Sequence, residues 1–216
     1  MISNKNIDRI LSAVRRTNRP WRVPVVGHYT ETPFMVLIST VLSLRTQDKT
    51  TDAASRRLFG AAKTPRDMTK LPFEKIRDLI YPVCFYRNKA KAIKEICAIL
   101  LKKYDGRVPD DMNALLELPG VGRKTANLVI TLGFRKPGIC VDTHVHRISN
   151  RWGYVKTKTP DETETVLRKK LPARYWMEYN DLLVTYGQNL CQPVSPYCSR
   201  CLIQPDCPRI GVKHSR

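Results

Sequence analysis

The sequence predicts an all-α protein. Three observations carry that prediction. Apolar residues recur at three- and four-residue spacing in nearly every segment, no run alternates with period two for long enough to make a strand, and 15 prolines mark many helix boundaries. The 216 residues suffice for one large domain or two small ones, and a hydrophobic content of 42% allows a substantial core.

The elements follow in chain order. Ile7, Ile10, Leu11 and Val14 form one apolar stripe of a first helix. Ile93, Ile96, Cys97, Leu100 and Tyr104 form another, and Gly106 stops it. A short helix is predicted over about 111–117 and a second run over 125–132. Thr159-Pro160-Asp161-Glu162 is a capping box with proline at the first helical position. Trp176, Leu182, Leu183 and Tyr186 mark a last long helix running towards Cys191. No repeat of solenoid length and no low-complexity tract interrupts the pattern.

Charge narrows the function. Lys and Arg total 38 against 19 Asp and Glu, a net +19. Such an excess suits a polyanion, because each cation placed on a phosphate releases a condensed counterion. A membrane partner is not expected: no basic amphipathic helix stands out, and the apolar stretch from Phe34 to Leu44 falls far short of the roughly 20 residues that span a bilayer. The N-terminus mixes charged and apolar residues and resembles no secretory signal, so an intracellular, non-secreted protein is expected. Seven cysteines in a reducing compartment are then not a disulfide framework.

Four of those cysteines cluster. Cys191, Cys198, Cys201 and Cys207 read C-x6-C-x2-C-x5-C within 17 residues. Four thiolates that close can surround one metal centre, and the spacing leaves zinc or a [4Fe–4S] cluster open. An all-cysteine shell offers no open position, so the expected role is to fold a tail too short for a core of its own.

Leu118-Pro119-Gly120-Val121-Gly122-Arg123-Lys124-Thr125 stands between the two short helices. Its glycines permit positive φ and let backbone N–H groups face outward, where they and the positive helix end can hold a DNA phosphate. Lys124 stands at that helix start. The helix dipole and Arg123 disfavour the charged form of its amine, and a partly neutral amine is a nucleophile able to form a Schiff base. A phosphate-contacting lysine is the plainer alternative on chemistry alone. Asp142, before Thr143 and His144, is a good N-cap for a further helix that Gly153 ends. A fixed carboxylate can also stabilise positive charge developing on a sugar as its base departs.

Taken together, the helix-hairpin-helix octapeptide 118–125, Val141-Asp142-Thr143-His144 placed 18 residues after Lys124, and the four-cysteine tail resemble endonuclease III. The resemblance covers almost the whole chain. Thr32-Pro33-Phe34, Leu42-Ser43 with Asp48, Phe85-Tyr86 with Lys89-Ala90, and Gly106-Arg107-Val108-Pro109 add to it.

The resemblance implies two helical domains flanking a DNA-binding cleft: 27–136 as a six-helix domain with the hairpin, and 1–26 with 137–216 as the iron–sulfur cluster domain. It implies a [4Fe–4S] cluster on the four cysteines, Lys124 as nucleophile and Asp142 as catalytic carboxylate. Leu118, Gly120, Val121, Gly122, Arg123, Thr125, Arg45, Phe85 and His144 become expected DNA contacts. The implied activity is a monomeric base-excision glycosylase and AP lyase. Its implied substrate is double-stranded DNA carrying damaged pyrimidines, such as thymine glycol, or abasic sites. Related mismatch glycosylases carry the cluster with Ser or Tyr in place of this lysine, and 8-oxoguanine glycosylases usually have the lysine without the cluster. Three positions depart from the family pattern: Arg45 stands where bacterial members commonly have Gln, Cys84 where Gly is common, and residues 192–197 lack the usual basic side chains.

Overall fold

The structure, a computed structural model, describes residues 2–21 and 29–216. Among them every regular element is helical, and no helix is long and apolar enough to cross a membrane. The chain groups into two units, Val25–Gly138 and Met1–Pro24 with Ile139–Arg216. The first junction, expected at 26/27, lies outside the described residues. The second falls two residues after the expected 136/137.

The unit Val25–Gly138 is built around helix α2 (Pro33–Ser43). Thr32 caps it, its hydroxyl accepting from the Met35 N–H at 3.2 Å, and Pro33 starts it. Residues Phe34 to Leu42 are all buried, as a helix apolar on every face must be. Its polar members, Ser39 and Thr40, donate back to the Val36 carbonyl. Helices α3 (Asp48–Ala61), α4 (Pro65–Lys70) and α5 (Phe73–Ile80) lead to the longest helix, α6 (Tyr86–Tyr104). Of the α6 stripe, Ile93, Ile96, Cys97 and Leu100 are buried and Tyr104 is half-buried, and the stop begins one residue early. Asp105 takes the left-handed conformation at φ 51°, then Gly106 at 75°, and the Gly106 N–H returns to the Leu100 carbonyl at 2.9 Å.

Helices α7 (Met112–Leu116) and α8 (Arg123–Leu128) flank the glycine turn. The second run predicted over 125–132 starts two residues sooner and changes character at Val129, where a π-helical segment runs to Gly133. The Thr131 hydroxyl donates to the Asn127 carbonyl at 2.8 Å there, competing with the α ladder.

The other unit joins the N-terminal helix to the C-terminal third of the chain. Helix α1 (Ile7–Asn18) buries Ile7, Ile10, Leu11 and Val14 and lies on α11 (Trp176–Asn189). The Asn18 side-chain amide donates to the Leu182 carbonyl at 2.9 Å, and Arg15 pairs with Glu178. Helix α9 (Thr143–Arg151) packs on α11, and α10 (Pro160–Lys170) on α9. The capping box of α10 is half as expected. Thr159 accepts from the Glu162 N–H at 3.2 Å, whereas Glu162 reaches back to the N–H of Lys158 at 2.8 Å, one residue before the cap. Gly187 explains how α9 and α11 approach so closely. A Cβ there would stand 2.5 Å from His144 Nδ1 and 2.8 Å from Arg147 Nη2.

Candidate functional site

The hairpin turn is pinned from below. Leu118 and Val121 are 2% and 7% exposed, and the Val121 N–H donates to the Leu118 carbonyl at 3.1 Å. Asp111 caps α7 through the Ala114 N–H at 2.9 Å. The two glycines differ. Gly120 has φ 75°, which L side chains rarely adopt. Gly122 is the N-cap of α8 in ordinary extended backbone, and a Cβ there would meet no protein atom. It also supplies no side-chain acceptor to the first turn of α8. The space beside Gly122 is therefore open to a ligand approaching the helix start.

Arg123 and Lys124 are the first two residues of α8, both half-buried. Thr125 is 1% exposed. Leu118, Val121 and Thr125, expected among the DNA contacts, thus turn their side chains into the core. The expected phosphate contact rests on backbone N–H groups of this turn rather than on these side chains; the N–H groups of Leu118 and Val121 donate to the Leu115 and Leu118 carbonyls.

Arg45 and Phe85, distant in sequence, come together in this unit. Both are exposed non-glycine residues in the left-handed region, at φ 56° and 57°. The Arg45 guanidinium stands 5.6 Å from the Phe85 ring centroid, within cation–π range.

Asp142 belongs to the other unit. Its Oδ1 accepts from the N–H groups of His144 and Val145 at 2.8 and 2.9 Å, so it caps α9 as predicted. His144, half-buried, faces Arg147, whose Nη2 lies 3.1 Å from His144 Nδ1. A guanidinium only donates, so Nδ1 accepts and the ring proton is on Nε2. The same Nη2 donates to the Cys191 carbonyl at 2.8 Å.

Cys191, Cys198, Cys201 and Cys207 line one cavity, walled by Trp152 and Tyr186 and capped by a turn at Cys198–Arg200. Burial pushes the Cys191 and Cys201 thiols up, and Cys207 to about 11. Two donors face the sulfurs. The buried Arg151 lies 3.2 Å from Cys191 Sγ and also donates to the Gln192 carbonyl at 2.9 Å; Tyr186 Oη lies 2.8 Å from Cys201 Sγ. A buried guanidinium against a thiol suits a sulfur that carries negative charge. Sequence reasoning missed both donors. Arg151 had one signal, its position on the helix that Asp142 opens, and Tyr186 only its place in an apolar stripe. Among the described residues no group of three or more His, Cys, Asp or Glu converges tightly enough to hold a single metal ion.

Residues 38–173 match the HhH-GPD superfamily base excision DNA repair protein. The chain belongs to that superfamily. It is 52% identical over 181 residues to endonuclease III of Thermotoga maritima, covering 84% of this chain and 85% of the relative. It is 40% identical to the chloroplastic endonuclease III homolog 2 of Arabidopsis thaliana, covering 96% of this chain but 58% of that longer protein. Among solved structures it resembles a trapped endonuclease III–DNA covalent intermediate, with a TM-score of 0.87 at 35% identity over 97% of each chain.

Proposed function

We propose that this bifunctional DNA glycosylase/AP lyase removes oxidised or saturated pyrimidines, such as thymine glycol, and cleaves the strand by β-elimination through a Schiff base on Lys124. The observation that supports the proposal is the hairpin: it makes Lys124 the second residue of α8, two residues after Gly122 and the open space beside it.

The mechanism begins with extrusion of the damaged nucleotide, since C1′ is out of reach in an intact stack. Backbone groups of the hairpin hold a phosphate near the lesion. Arg45 and Phe85 enter the gap left behind. The Lys124 nitrogen attacks C1′ and the base departs. Asp142, held by its two backbone bonds, stabilises the positive charge that develops on the sugar. The Lys124 nitrogen gives up a proton and the C1′–O4′ bond opens, O4′ leaving as a hydroxyl, to give the iminium on C1′; this makes the C2′ proton acidic, and its loss breaks the C3′–O bond and expels the 3′ phosphate. A related endonuclease III has been trapped in a covalent intermediate with DNA, which agrees with a covalent route.

The unit Val25–Gly138 carries the hairpin, and the other unit carries the tail that we assign to a [4Fe–4S] cluster. Four thiols lining one cavity, with a buried guanidinium and a phenol against two of the sulfurs, suit an all-cysteine centre. The group supplies a covalent cross-link between four points of the tail; Arg151 and Tyr186 would hold charge on its cysteine sulfurs.

Borohydride trapping on a duplex with an abasic site or thymine glycol tests the reading. Wild type is expected to give a covalent protein–DNA band, and Lys124→Gln none, with duplex affinity retained within a few-fold. A wild type that binds and releases base without trapping would be a monofunctional glycosylase. Equal loss of binding and trapping in Lys124→Gln would return the lysine to a phosphate contact.

A further inference from the structure

Lys89 stands where the α6 stripe calls for an apolar residue. It precedes Ile93, Ile96 and Leu100 at helical spacing and is 7% exposed. An ammonium is expensive to bury, and burial pushes this one down to about 8 against a smaller opposing effect of Cys84. It is held by three uncharged acceptors: the Leu42 carbonyl at 2.8 Å, the Leu44 carbonyl at 2.6 Å and the Thr46 hydroxyl at 3.2 Å. These use all three donors of the ammonium. They also fix the residues where α2 ends, including carbonyls of its last turn that have no partner within the helix.

The two sides of this clamp are the two loops that present exposed side chains. Leu44 and Thr46 bracket Arg45. The Thr46 hydroxyl also accepts from the Cys84 N–H at 3.2 Å, which fixes the residue before Phe85. The Lys89 N–H itself donates to the Phe85 carbonyl at 3.0 Å. Arg45 and Phe85 therefore hold strained left-handed backbone at facing positions, joined through Lys89 and Thr46. An apolar side chain would fill the same core at less cost. What it would not supply is the tie between the loops.

We propose that Lys89 is a positioning residue that locks the Arg45 loop to the Phe85 loop, so that the two side chains enter damaged DNA as one wedge. The proposal rests on the reading above of Arg45 and Phe85 as the residues that enter the gap.

The test is a double-mutant cycle that needs no catalysis. The probe is a duplex with a tetrahydrofuran abasic analogue opposite 2-aminopurine, whose fluorescence reports insertion beside it. Lys89→Met is expected to lower affinity and the fluorescence response about tenfold, within the range for directly coupled residues. In an Arg45→Ala/Phe85→Ala background the same change should cost less than about twofold, because there is no wedge left to position. A full second loss in that background, or no loss in the wild-type background, would overturn the proposal. Thr46→Val keeps the lysine, removes the shared hydroxyl and decides the matter should Lys89→Met fail to fold. It is expected to give about a threefold loss that also vanishes in the double-alanine background, and a persistent loss would count against the tie. Base release and strand cleavage run in parallel separate the two readings. Coupled insertion without either activity sinks the functional assignment alone, and normal activity without coupling sinks the positioning role alone.

Discussion

Gly120 and Gly122 look alike in the sequence and are glycine for different reasons. Gly120 needs its positive φ, so the fold demands it. Gly122 has extended backbone with open space around it, so nothing inside the protein demands it. Gly122→Ala should therefore melt within about 1 kcal/mol of wild type, as a surface change does. It should nevertheless bind duplex DNA more weakly, with a salt slope reduced by about one phosphate contact. A melting loss that accounts for the whole binding loss would remove the phosphate from this turn. Lys89 shows the limit of reading single residues. Its place in the α6 stripe was visible, but a lone lysine in a stripe usually lays its stem on the core and keeps its charge in water. Only the three acceptors, more than 40 residues away in sequence, reveal that it is tied down.

At the scale of elements, α9 packs closely on α11. Glycine inside a helix ordinarily costs about 1 kcal/mol relative to alanine. At Gly187 the sign should reverse. A methyl group there meets His144 and Arg147 at sub-contact distances, so Gly187→Ala should lower the melting temperature, and calorimetry would settle the sign. A higher melting temperature would mean the two helices separate freely. The cysteine tail poses a second question of support. Beyond residue 197 only Ile203 is buried, so little apolar packing holds it. Purified protein should be yellow-brown with iron and acid-labile sulfide, and removing the iron should expose the tail from Gln192 onwards to protease first. Colourless protein with one zinc would refute the cluster. Helices α1, α6 to α11, the cysteine spacing and the hairpin were legible in the sequence; α2 to α5 were not read, although Thr32-Pro33 and Thr64-Pro65 mark two of their starts. The π-helical segment at Val129–Gly133 was not, because nothing in Val-Ile-Thr-Leu-Gly departs from a helical pattern. Nor was the pairing of Arg151 with Cys191, which joins residues 40 apart.

For the whole molecule, the excess of 38 basic over 19 acidic residues should make duplex binding steep in salt. If six to ten phosphates are engaged, affinity falls by about 10³- to 10⁵-fold between 50 and 200 mM salt. A nearly flat titration would show that the charge serves something other than DNA. The discontinuous unit has a consequence for how the protein is born. Helix α1 leaves the ribosome well before its partner α11, and the bond from Asn18 to Leu182 joins residues 164 apart. At about 5–20 residues per second the nascent α1 carries Ile7, Ile10, Leu11 and Val14 uncovered for roughly ten to thirty seconds. The intervening unit meanwhile has its full sequence and can complete its core unaided. Each new copy therefore carries an uncovered apolar stripe until α11 has been made, and that waiting helix is where a holding chaperone would bind first.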